Sequence, residues 1–337
     1  MDPLTIGILS VGAIVVLVYL GLYIPVALGL VSFVSIWMMS GKSILAFNFL
    51  KVAVGDGVTE YNFATIPLFT LMGLLVSKAR LGRDIYDVMN SAFRRVLAGI
   101  GMATVGANAI FAAVTGSSIA SASVFTKIAV PQMLRYNYNK RFAVGVVAGS
   151  SVLGMIIPPS AMLIIYSFVA EVSVGDMFLA GIIPGLLLTA VYMIAIYLMA
   201  RFWPSFIGTD IKTDEMPAME RSEMFRKAWP VLALILLVLG GIYTGWLTPV
   251  EAGAAGASLA LIVALGRRSM SRQEFWETLV ETGHITAAIL LLIAMASFYS
   301  RMLGYAGLPN QLDALLQEWD LTFFQIMLLY VILMLVL

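Results

Sequence analysis

Apolar runs long enough to cross a bilayer recur from end to end of this chain, and that recurrence leaves few folds open to it. Runs near residues 4 to 20, 22 to 40, 63 to 78, 142 to 171, 177 to 200, 229 to 244, 249 to 265 and 284 to 303 approach or exceed the roughly 20 residues that a helix needs to span hydrocarbon. With 61% of its 337 residues hydrophobic, 12% charged and a mean hydropathy of +0.97, the chain is too apolar for a water-soluble domain. None of the runs shows the alternation of a membrane strand, which selects helices over a barrel. The expected fold class is all-α, polytopic and membrane-embedded.

Charge sets the orientation and excludes some partners. A net charge of +1, with basic residues scattered over short loops, gives no field to attract nucleic acid. With the N-terminus outside, Lys78, Arg80, Arg83, Arg94, Arg95, Arg135, Lys140, Arg141, Arg201, Lys212, Arg221, Arg226, Lys227, Arg267, Arg268 and Arg272 all fall on the cytoplasmic side. Only Lys42, Lys51 and Arg301 then lie outward, with Lys127 between the two groups, so the positive-inside rule prefers this arrangement to its inverse. Trp37, Trp203, Trp229, Trp246, Trp276 and Trp319 sit near the ends of apolar runs, where an interfacial aromatic belt belongs. Residues 84 to 97 carry apolar positions at helical spacing opposite Arg94 and Arg95, the pattern of a helix lying along the cytoplasmic interface. The absence of cysteine excludes disulfides and thiolate metal sites. Met1-Asp2-Pro3 lacks the basic start of a cleaved signal, so the first run reads as a retained helix. The polar segment 201 to 228 is a cytoplasmic linker, too short for a folded domain of about 50 residues. Any capture domain must be a separate protein.

Two apolar stretches are interrupted. Residues 99 to 133 are broken at their centre by Thr115-Gly116-Ser117-Ser118, which fits a re-entrant hairpin of two half-helices better than one span. The run 142 to 171 is broken by Gly154-Met155-Ile156-Ile157-Pro158-Pro159-Ser160. Pro158 and Pro159 have no N–H, so the carbonyls of Gly154 and Met155 lose their helical donors, and Ile157 is pushed out of helical geometry by the proline after it. Non-helical backbone at membrane depth is tolerated only inside protein or around a watery site, so such breaks point to a transporter with a ligand to hold. Freed carbonyls and the hydroxyls of Thr115, Ser117 and Ser118 suit a hard cation, while a half-helix starting near Ser118 offers its positive end to an anion. A plainer reading competes at each break taken alone, because small residues also allow close helix packing and prolines also kink spans. Arg301, near the end of a run, is either a bidentate partner for a substrate carboxylate or a snorkelling cation at the outer interface. Glu251 follows Thr248-Pro249 at the spacing of an N-terminal capping box, which explains it without a proton-carrying role. His284, the single histidine, is expected at the interface where its run begins.

An internal repeat is also visible. Gly21-Leu22-Tyr23-Ile24-Pro25-Val26 and Gly245-Trp246-Leu247-Thr248-Pro249-Val250 share Gly-x-x-x-Pro-Val, and Ala79-Arg80-Leu81 with Ala306-Gly307-Leu308 keeps nearly the same offset. The partners start on opposite sides of the membrane, which makes residues 1–200 and 229–337 inverted repeats. At that offset the second repeat is expected to be cut short before its own hairpin.

The hairpin Thr115 to Val124, Pro131-Gln132-Met133, the stretch from Gly149-Ser150-Ser151 to Pro158-Pro159-Ser160 and Gly240-Gly241-Ile242-Tyr243-Thr244-Gly245 together resemble the large membrane subunit of tripartite ATP-independent periplasmic (TRAP) transporters, over essentially the whole chain. The resemblance implies an elevator-type ion-transporter fold in a bacterial inner membrane and a sodium-driven importer of carboxylate-bearing organic acids such as sialic acid or C4-dicarboxylates. It implies two partners, a small membrane subunit and a periplasmic substrate-binding protein, with Na+ as coupling ion and no cofactor. Thr115, Ser117, Gly154, Ile157 and Pro159 match the family's first sodium site; Gly116 and Ser118 complete the candidate cation shell, and Ser117, Ser160 and Arg301 are the candidate substrate-binding residues. The family has a second hairpin and a further sodium site beyond the matching part of this chain. Two rivals stand beside this reading. One is a sodium/dicarboxylate elevator carrier that works without a binding protein, and the other an intramembrane serine protease built on Ser118 and His284.

Overall fold

The computed structural model describes residues 2–208, 219–319 and 321–336, and their regular structure is entirely helical. In chain order the helices are α1 (Pro3–Tyr19), α2 (Ile24–Ser40), α3 (Ser43–Thr59), α4 (Thr65–Lys78), α5 (Leu81–Phe93), α6 (Gly99–Thr115), α7 (Ser118–Arg135), α8 (Lys140–Ser151), α9 (Leu153–Ile156), α10 (Ala161–Val169) and α11 (Val174–Phe202). They continue as α12 (Pro204–Ile207), α13 (Arg221–Ile235), α14 (Gly241–Tyr243), α15 (Pro249–Gly266), α16 (Arg272–Tyr305), α17 (Leu308–Glu318) and α18 (Phe323–Val336). A π-helical turn over Leu236–Gly240 joins α13 to α14. Among the described residues four helices are long and apolar enough to cross a membrane, and six if each of two bent pairs counts as one span. The pairs are α4 with its preceding turn and α5, bent by 65°, and α8–α9 with α10, bent by 43°.

The helix starts follow local chemistry. Pro3, Pro25 and Pro249 stand in the first turns of α1, α2 and α15, where a missing N–H costs nothing. Thr248 and Glu251 form the capping box in full: the Thr248 hydroxyl accepts from the Glu251 amide and the Glu251 carboxylate accepts from the Thr248 amide at 2.8 Å. Gly21 and Gly245 both hold positive φ four residues before those prolines. Arg80 and Gly307 are likewise both left-handed, each immediately before the first residue of a helix, α5 and α17.

The structure adds elements that hydropathy does not reveal. Residues 43–59, which lie outside the apolar runs, form α3; Ala46 and Ala53 turn one face of it into a core with Ile36, Phe298 and Met302. Helix α13 starts at Arg221 and α16 at Arg272, well before the apolar runs at 229 and 284, because charged turns carry both helices beyond their apolar windows. His284 therefore lies within α16, on its exposed side, and not at a helix start. All six tryptophans are exposed on the protein surface, at least half of each ring-bearing residue remaining accessible.

The fold divides into two compact units, Met1–Glu60 with Leu290–Leu337, and Tyr61–Ile289. In the first, α2 packs on α1 and α3, Phe33 meets Phe47 edge-on at 4.9 Å, Phe49 meets Tyr305 at 5.7 Å, and the Ser10 and Tyr299 hydroxyls lie 3.0 Å apart. In the second, α6 is the central helix. It packs against α4, α5, α7, α8, α9 and α11, and thirteen of its residues are buried. Its sequence is apolar or small on every side, which suits a helix with protein all round and no lipid-facing stripe. Helix α11, by contrast, buries Phe178, Gly181, Gly185, Thr189 and Ile196 on one side and exposes Ile183, Leu186, Leu187 and Ile194 on the other. Helix α5 is tied down by two carboxylates one turn apart: Asp87 accepts from Lys227 at 2.8 Å, and Asp84 pairs with Arg267.

The aromatic contacts of this unit give a direct test of its packing. Phe125 of α7 lies edge-on to Phe111 of α6 at 5.5 Å and beside Tyr86 of α5 at 6.2 Å, all three fully buried. Phe125→Ala is expected to destabilise the unit by about 3–5 kcal/mol and to lower the melting temperature of the detergent-purified protein. Ile183→Ala, on the exposed side of α11, is expected to leave it unchanged.

Candidate functional site

Two breaks in two neighbouring helix pairs come together inside the second unit. Helix α6 ends at Thr115; Gly116 reverses the chain with φ +59°, a left-handed conformation suited to glycine, and α7 starts at Ser118. The Ser117 hydroxyl caps α7 by accepting from the Ala120 amide at 3.3 Å. The second break runs from Ile157, extended at φ −74° and ψ 122°, through Pro158 and Pro159 to Ser160 at the start of α10. The peptide bond between the two prolines is cis.

The two breaks touch through backbone. The Ala161 amide, at the first turn of α10, donates to the Gly116 carbonyl at 3.2 Å. A Cβ at Gly154 would lie 2.8 Å from the Ser117 carbonyl carbon and 2.9 Å from the Ser118 nitrogen, so only a glycine lets α9 approach the hairpin tip this closely. Gly116 meets the Pro159 carbonyl oxygen just as tightly. Thr115, Gly116, Ser117, Ser118, Gly154, Pro159 and Ser160 thus come together at the two breaks, while Ile157 packs against Gly185 of α11. Arg301 belongs to the other unit, where it is exposed on α16.

A cavity of about 90 Å³ opens at this meeting point, lined by Thr115, Gly116, Ser117, Ala120, Pro159 and Ala161, by Phe69, Thr70 and Gly73 of α4, and by Ile285. Among the described residues no charged side chain lines it. Among the described residues no group of three or more His, Cys, Asp or Glu is arranged to hold a metal ion. Any cation here would be held by neutral oxygens, a shell that suits an alkali ion better than a divalent one, which draws in carboxylates. The Thr115 hydroxyl donates to the Phe111 carbonyl at 2.8 Å and so keeps lone pairs for a ligand. Two helices, α6 and α9, present carbonyl ends, and two, α7 and α10, present amide ends. Opposite partial charges therefore lie side by side.

The structure assigns different work to two of the expected groups. The Met155 carbonyl, freed by proline, is taken up by the buried Ser160 hydroxyl, which donates to it at 2.7 Å. Ser160 thereby repairs the break from within.

Sequence reasoning misses the residues that make the approach possible. Gly73 lets α4 pass against the Thr115 carbonyl, and Gly181 and Gly185 of α11 admit the Ile156 carbonyl and the Ile157 side chain. Behind the hairpin, the buried Asn108 amide donates to the Ser150 hydroxyl at 2.6 Å, joining α6 to α8. A polar residue inside an otherwise apolar helix is the one signal that points to Asn108 beforehand.

Comparison with known proteins places this arrangement. Residues 11–337 match the model of the family described as "Tripartite ATP-independent periplasmic transporter, DctM component". The chain is 32% identical over 303 residues to the C4-dicarboxylate TRAP transporter large permease protein DctM of Pseudomonas aeruginosa, a match covering 88% of this chain and 68% of that protein. It is 28% identical over 292 residues to the sialic acid TRAP transporter large permease protein SiaM of Vibrio cholerae, covering 86% and 66%, and 27% identical over 301 residues to the ectoine/5-hydroxyectoine large permease UehC of Ruegeria pomeroyi, covering 88% and 68%. The match is to a transporter family and not to an enzyme family, so the peptidase alternative falls away. With its broken helices, its apolar surface and a family match over nearly its full length, the chain belongs to the DctM family of TRAP transporter large permeases.

Proposed function

We propose that this multi-pass protein of the bacterial inner membrane is the large permease of a sodium-coupled importer of carboxylate-bearing organic acids, of sialic acid or C4-dicarboxylate type. Membership of the family carries the general role, that of a TRAP large permease. The observation that supports ion coupling is the convergence of the carbonyl end of α6 and the amide ends of α7 and α10 on one uncharged cavity. Sodium would be held by oxygens of Thr115, Gly116, Ser117, Ser118, Gly154, Ile157 and Pro159. The candidates to receive the carboxylate are Ser117, Ser160, whose hydroxyl would have to leave the Met155 carbonyl, and Arg301, which belongs to the other unit. A small membrane subunit and a periplasmic substrate-binding protein complete the assembly. Related permeases are named for C4-dicarboxylates, sialic acid, isethionate, ectoine and 2,3-diketo-L-gulonate, so the choice of acid rests on the binding protein that serves this one.

The repeated use of a left-handed residue before α5 and α17, and of glycine with proline before α2 and α15, supports a pair of inverted repeats over 1–200 and 229–337, with residues 201–228 as the cytoplasmic linker. Residues 209–218 of that linker lie outside the described residues. An N-terminus on the periplasmic side follows from the distribution of Lys and Arg.

Uptake of labelled succinate and sialic acid into proteoliposomes containing the intact permease and its small subunit tests the reading. Uptake is expected only when an inward sodium gradient and the cognate binding protein are both present; uptake with sodium alone would assign the protein to binding-protein-independent carriers. In the same assay Ser117→Ala, which removes one candidate ligand and the cap of α7, is expected to raise the half-saturating sodium concentration about tenfold, the equivalent of about 1.4 kcal/mol. An unchanged sodium dependence would remove Ser117 from the site. Arg301→Lys keeps the charge but loses the planar fork, and is expected to abolish uptake in protein that still inserts and assembles; full activity would leave Arg301 an interfacial anchor.

A further inference from the structure

A second cavity in the same unit lies away from the broken helices and has the opposite character. About 220 Å³ in volume, it runs along the outside of α8 between α6, α11 and α12, and nearly all of its wall is apolar. Its floor is the face of α8 from Arg141 through Gly145 and Gly149 to Ser150, a length of about 14 Å at the helical rise. A Cβ at Gly145 would meet nothing within 4 Å, and one at Gly149 would touch only the Tyr192 ring at 3.8 Å. These glycines therefore serve no close helix contact; their missing side chains leave the groove.

The groove is capped by charge at one end. Arg141 lines its mouth, Lys140 precedes it at the start of α8, and Arg201 stands in the last turn of α11, two residues beyond Met199 of the groove wall. No carboxylate among the described residues pairs with Arg141. Asn139 caps α8, its side chain accepting from the Arg141 amide at 2.9 Å. An apolar slot along a helix, opening onto unpaired basic side chains where the helix meets the membrane surface, complements one kind of molecule. That molecule has an acyl chain and an anionic headgroup.

We propose that this groove binds an anionic phospholipid of the cytoplasmic leaflet, its phosphate at Arg141 with Lys140 and Arg201 nearby, and one acyl chain along Gly145 and Gly149 against Tyr192 and Ile196. The site is independent of the sodium and substrate reading, because it involves none of those residues and is read by binding alone. Held there, the lipid would lie along the face of α8 that ends at Ser150, the residue whose hydroxyl accepts from Asn108 of the central helix.

The test is native mass spectrometry of the intact permease released from nanodiscs of equal parts phosphatidylglycerol and phosphatidylethanolamine. The wild-type protein is expected to retain one phosphatidylglycerol in preference to phosphatidylethanolamine by about fivefold. Gly145→Leu places a side chain in the groove and improves helix propensity, so it is expected to fold and to lose that lipid. Arg141→Gln is expected to keep a lipid but lose the preference for phosphatidylglycerol. Equal retention of the two lipids by the wild type, or an undiminished count of bound phosphatidylglycerol in folded Gly145→Leu, would overturn the site. A preference that survives Arg141→Gln would overturn the headgroup assignment.

Discussion

A peptide group inside hydrocarbon has no water to turn to, and the architecture around α6 follows from that single constraint. A helix broken at membrane depth leaves amides and carbonyls exposed at both new ends, each costly unless protein satisfies it. This chain breaks two helices and sets the breaks against each other, so that the Ala161 amide of one meets the Gly116 carbonyl of the other and the Ser160 hydroxyl answers the Met155 carbonyl. Protein on every side of α6 keeps lipid away from the groups that remain. The burial of the central helix is thus a condition for the break.

The same arrangement explains why so polar a task is done with so little charge. The cavity wall holds hydroxyls, backbone and apolar side chains, with no carboxylate and no basic group among the described residues. A fixed charge at that depth would need a permanent partner. Helix ends supply partial charges whose cost is spread over many peptide units, and carbonyl and amide ends side by side favour a cation and an anion together over either alone. Such a site rewards joint occupation, which is what coupling one solute to another requires.

The breaks are the most legible part of the sequence, because proline removes a donor and the Gly-Ser run interrupts an apolar stretch in ways that no neighbour can hide. The capping box at Thr248 and Glu251 is legible for the same reason: its chemistry is complete within four residues. Helix α3 is not, since it lies outside the apolar runs and its burial depends on Phe298 and Met302, hundreds of residues away. Nor are the roles of Gly73, Gly154, Gly181 and Gly185, which look in sequence like any membrane glycines. Their meaning lies in which backbone passes over them, and only the fold reveals it.

Those glycines also limit how the site can change. Gly73 seats the end of α6, Gly154 the start of α7, and Gly185 the Ile157 side chain, with distances that leave no slack for a methyl group. The tip is packed by α4 at Gly73 and by α9 at Gly154, so neither position has room for a side chain. The Asn108–Ser150 hydrogen bond and the Asp87–Lys227 and Asp84–Arg267 pairs tie the surrounding helices to one another as well. Close backbone contacts and buried polar ties thus make the helices around the cavity one tightly packed body.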